Sequence, residues 1–104
     1  MYRIEVFVSP DALNKLVVAL SSFGKTYSGK HSHYMSWYKV QSMWYSEGGN
    51  HTPMGGNLEA VYEEEYCVIL RCEDLTVPQV VDAIKTTLSD KDVNIDIIKI
   101  VPHG

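Results

Sequence analysis

Excess positive charge is what this sequence most plainly lacks. Nine Lys plus Arg stand against thirteen Asp plus Glu, a formal net charge of −4. A domain that neutralises nucleic-acid phosphates carries the opposite balance, so DNA and RNA are not expected partners. Long apolar runs are also missing: none approaches the roughly 18 residues of a membrane span. The opening MYRIEVFVSP interrupts its apolar stretch with an acid and has no small-residue cleavage site, so it does not read as a secretory leader. Cysteine is scarce. Cys67 and Cys72 are too few for a four-ligand zinc site and lack the C-x-x-C spacing. On one strand they face opposite ways about 16 Å apart, beyond the reach of a mutual disulfide. Two reduced thiols and a cytoplasmic setting are the expectation. Neither a Gly-x-Ser-x-Gly elbow nor a Cys–His arrangement occurs, and no Lys-Ser/Thr follows the glycines as a phosphate loop requires. No enzyme, no cofactor and no resident metal are therefore expected.

What is present suits one domain over residues 1–104, with 45% hydrophobic residues to supply a core. Ile4, Val6 and Val8 alternate with Arg3, Glu5 and Phe7, the period of a strand. Ser9 is placed to cap a helix and Pro10 to open it, followed by a stripe of Leu13, Leu16, Val17 and Leu20, with Gly24 as the stop. From Gly29 to Trp44 the chain is rich in β-favouring and aromatic residues, predicting one long strand. On it His31, His33, Met35, Trp37 and Lys39 share one face. Residues 46–57, SEGGNHTPMGGN, carry four glycines, one proline and two asparagines in twelve residues and must be a loop. Glu59 to Cys72 resumes strand character. Thr76 and Gln79 have capping-box spacing before a helical stripe of Val77, Val80, Val81, Ile84 and Leu88. A last strand alternates from Val93 to about Val101.

The resulting order, βαββαβ, predicts a ferredoxin-like α+β fold: a four-stranded antiparallel sheet with two helices on one face. Two helices leave the other face bare. With Trp37, Trp44 and seven tyrosines to place, that face is expected to meet other copies of the chain, as a homotrimer whose long hairpins reach across neighbours.

Three groups bear chemistry. His31 and His33 face the same way on a strand and could begin a metal site, with His51, Glu47 or a carboxylate of Glu63 to Glu65 completing it across subunits; the alternative is plain packing and hydrogen bonding. Among Glu63, Glu64 and Glu65 only the outer two converge, which suits a solvated or ion-paired strand face with Lys39 or Lys30 as partner. Asn50-His51-Thr52 matches a glycosylation sequon, a chance match without a leader.

Taken in order, YRIEVFVSPDALNKLVVALSSFG, SGKHSHYMSW, Gln41, GGNHTPMGG, VYEEEYCV and VVDAIK resemble the PII-like superfamily. Within it they resemble the small stand-alone YqfO-type proteins, related in fold to CutA. The resemblance runs from Tyr2 to Pro102. It implies a non-enzymatic regulatory protein acting as a homotrimer, with a small anionic ligand or a protein partner at the loop base. The implied contacts are Lys39 for an anion, Gln41 as an amide hydrogen-bonding group, Trp44 as a stacking surface, and Asn50 and His51 in the loop. Two other roles stay open: CutA-type metal handling through His31 and His33, and a purely structural oligomerisation module. One departure bears on the ligand. Where classical PII proteins have a glycine- and lysine-rich turn, Ser89 to Asp96 has no glycine and three aspartates to one lysine. That turn offers neither close backbone approach nor positive potential to a nucleotide phosphate.

Overall fold

Strand β1, Tyr2–Val8, buries Ile4, Val6 and Val8 on one face and leaves Phe7 exposed on the other, as the alternation requires. The computed structural model describes residues 1–47, 58–89 and 93–103. Helix α1, Pro10–Leu20, turns Ala12, Leu16 and Leu20 into the core. Two expected end signals are not used. The Ser9 hydroxyl makes no capping bond; the Ala12 amide instead donates to the Ser9 carbonyl at 3.0 Å. The helix also stops before Gly24. The Ser21 and Ser22 hydroxyls donate to the Val18 and Ala19 carbonyls at 2.8 and 2.9 Å, occupying acceptors that the last turn leaves open.

The long strand expected from Gly29 is broken. Tyr27–Ser28 (β2) pairs with His31–Ser32 (β3) across a two-residue turn, Gly29-Lys30. Gly29 sits at φ +55°, the conformation that a first central turn position of this kind demands and that glycine adopts without cost. His33 also takes φ 55°, which ends β3, and the Tyr34 amide donates to the Thr26 carbonyl at 3.2 Å. Only at Ser36 does the main strand begin. It runs as β4, Ser36–Glu47, and pairs antiparallel with β5, Leu58–Cys72, from Ser36 opposite Ile69 to Glu47 opposite Leu58.

Helix α2, Val77–Thr87, buries Val80 and Ile84. Thr76 precedes it, buried and in helical backbone geometry, and its side chain makes no cap, so the expected capping box with Gln79 does not form. Strand β6, Ile95–Lys99, is shorter than expected, although the Ile100 amide still donates to the Met1 carbonyl. The strand order β4-β5-β1-β6 is that of the expected four-stranded antiparallel sheet. Both helices lie on the face formed by Ile4, Val6, Val68, Leu70 and Cys72. Among the described residues no helix is long and apolar enough to cross a membrane.

The pairing of β1 with β5 ends at Val8 opposite Tyr66, whereas β4 and β5 continue together from Val40 opposite Glu65 to Glu47 opposite Leu58. That continuation is a two-stranded arm about 25 Å long at ~3.3 Å per residue, and it contributes to an elongated molecule of 57 × 28 × 22 Å.

Candidate functional site

The base of the arm holds the residues expected to meet a ligand. Lys39 lies opposite Tyr66 and Gln41 opposite Glu64, on the face that continues the helix-covered side. The Lys39 Nζ stands 3.8 Å from Glu64 Oε1, with both side chains more than half exposed, a pair of the weak, screened kind. The partner of Lys39 is thus the middle acid of the three. Trp44, opposite Val61, lies on the other face of the arm. Lys39 and Gln41 are together and Trp44 is apart from them. Asn50 and His51 lie outside the described residues, as does most of the glycine-rich stretch.

Glu63 and Glu65 converge, as their parity requires. With Phe7, Val8, Ser9, Ala12, Leu88 and Val93 they line a cleft of about 200 Å³. The Ser9 Oγ there is buried without a hydrogen-bond partner among the described residues. The two histidines do not share a strand face, because β3 ends at Ser32 and the left-handed turn at His33 breaks the alternation. The His33 ring instead packs beside Gly24, where an added Cβ would come within 3.0 Å of it. Among the described residues no three His, Cys, Asp or Glu gather as a metal site would need.

Sequence reasoning missed a second cleft. Arg3 of β1 and Arg71 of β5 are direct cross-strand neighbours on the helix-free face. With Tyr27, Ser28, Tyr34, Ser36, Ile69 and Leu70 they line a space of about 280 Å³. One Arg3 amino group is held by Glu5 at 2.7 Å, while its Nε is buried with no partner among the described residues. The only signal available in the sequence was parity: Arg3 and Arg71 each fall on the strand face away from the core.

On that same face Phe7, Cys67 and Tyr38 form a row across β1, β5 and β4. Both thiols are free and buried. Burial pushes Cys67 up from its ordinary value, and the Tyr38 hydroxyl draws part of that back. Tyr38 is itself raised by its hydrogen bond with the Cys67 sulfur. Cys72, in the core, is raised by burial as well.

No family model and no curated protein matches the sequence. Solved structures do match the fold. B. subtilis GlnK superposes with a TM-score of 0.70 at 20% identity, covering 95% of this chain and 83% of that one. The periplasmic divalent cation tolerance protein CutA from Archaeoglobus fulgidus superposes at 0.67 and 17% identity, covering 99% and 87%. The chain has the PII/CutA fold. A Bacillus cereus protein related to NIF3 also superposes, at TM-score 0.64 and 22% identity, over 93% of this chain but only 24% of its own length. In this PII/CutA-like chain the extended β4–β5 pair and the helix-free sheet face are the surfaces that its own packing leaves open.

Proposed function

We propose that the protein is a non-enzymatic, PII-like regulatory protein of the YqfO type that binds a small ligand as a homotrimer. The arm is the observation that carries this. An isolated two-stranded ribbon is marginal in water, yet this one presents Met43, Trp44, Tyr45, Leu58 and Tyr62, between 42 and 68% exposed. Such a surface is stabilised by being covered, and identical copies related by a closed rotation supply matching surfaces. Lys39 and Gln41 would meet a small anion from one face of the arm, and Trp44 would offer a stacking surface on the other. They serve one ligand only across a subunit boundary, with Asn50 and His51 of the 46–57 stretch completing the contact or engaging a protein partner. Two free thiols suit a reducing compartment, so the cytoplasm is the proposed location.

Native mass spectrometry of protein taken gently from cells tests both halves at once. The expected mass is three times 11.8 kDa plus a retained ligand. A lone protomer at micromolar concentration overturns the proposal. A thermal-shift screen of nucleotides, bicarbonate and other anions at millimolar concentration should find at least one stabiliser. A trimer stabilised by none of them would favour a structural oligomerisation module instead, a role consistent with this fold occupying a quarter of a larger B. cereus chain.

A further inference from the structure

We infer that the cleft between Arg3 and Arg71 binds a small oxyanion, a phosphate or a carboxylate group. Placing like charges opposite each other on paired strands is unfavourable unless something neutralises them. Glu5 takes one amino group of Arg3, and Arg71 forms no ion pair with any described residue. The Arg3 Nε is a buried donor with no acceptor among the described residues, the kind of group that a bound oxygen satisfies. Two arginines lining one cleft supply guanidinium forks of the kind that match the paired oxygens of phosphate or carboxylate. The hydroxyl-bearing residues Tyr27, Ser28, Tyr34 and Ser36 line the same space, and about 280 Å³ leaves room for a body attached to the anion.

The local backbone supports the assignment. The turn at Gly29 and the left-handed His33 break what would otherwise be one strand. That break sets Tyr27, Ser28 and Tyr34 beside Arg71. Departures from regular structure tend to collect at functional positions. Every lining residue belongs to one protomer, and the inference requires the cleft to stay open in the proposed trimer, whose copies are expected on this same sheet face.

Inorganic phosphate is the probe, titrated at constant ionic strength against the intact protein while thermal unfolding and phosphorus NMR linewidth are followed. Phosphate should raise the unfolding temperature where chloride does not. Arg71→Gln should weaken binding about tenfold or more, the loss expected for a charge-assisted fork. Its unfolding temperature without phosphate should be unchanged or higher, because the like-charge pair is gone. Arg71→Lys keeps the charge, loses the fork and should fall between the two, while Lys15→Gln on the exposed side of α1 should respond as the parent does. Equal effects of chloride and phosphate, or an undiminished response in Arg71→Gln, overturn the inference. So does a lower native mass for Arg71→Gln, which would show the arginines holding a neighbouring copy's carboxylate.

Discussion

Cys67 and Cys72 show how burial governs a side chain's chemistry. The nucleophile is the thiolate, and both thiols are held above their ordinary value by loss of water. Each should react slowly with a disulfide reagent in the native protein and fast in denaturant, a contrast that absorbance at the released thiolate measures directly. The sign of the pH effect follows from linkage. A folded-state thiol that holds its proton more tightly contributes stability that is intact below the ordinary value of 9.0 and is lost as pH rises above it. A Cys67→Ala/Cys72→Ala variant should therefore show a flatter alkaline decline in urea unfolding than the parent. Leu16 tests packing alone. It is fully buried between α1 and the sheet, and Leu16→Ala should lower unfolding free energy by about 2–5 kcal/mol.

Among the elements, the arm separates folding from association. Its residues stand beyond the last β1 pair, away from Ile4, Leu16 and Ile84 in the core. Tyr45→Ser with Tyr62→Ser should leave the circular dichroism spectrum nearly unchanged while shifting the light-scattering mass toward the single chain. Elements with strong periodicity were legible beforehand. The stripes of α1 and α2 and the parity of β1, β4 and β5 appear where alternation put them. Boundaries were not, since each depends on one residue's local choice. His33 adopts a left-handed backbone, the Ser9 hydroxyl goes uncapped beside Glu63 and Glu65, and serine hydroxyls rather than Gly24 finish α1. The arginine cleft was illegible for another reason. Register between distant strands decides which side chains meet, and no local pattern reports it. The arm-base residues were picked out as one cluster, but alternation across a ribbon splits Trp44 from Lys39 and Gln41.

At the scale of the whole molecule, the sheet order has a temporal consequence. Strand β1 sits inside the sheet, with β5 on one side and β6 on the other: Tyr2 pairs with Cys72 and also with Lys99. Both partners are distant in sequence, whereas β4 and β5 can find each other locally, and non-local pairings are slow to form. As the chain leaves the ribosome, β1 and α1 emerge before β5 and β6, with their apolar sides unmatched until those partners are made. Until β5 and β6 have followed, β1 and α1 are thus in need of protection from aggregation.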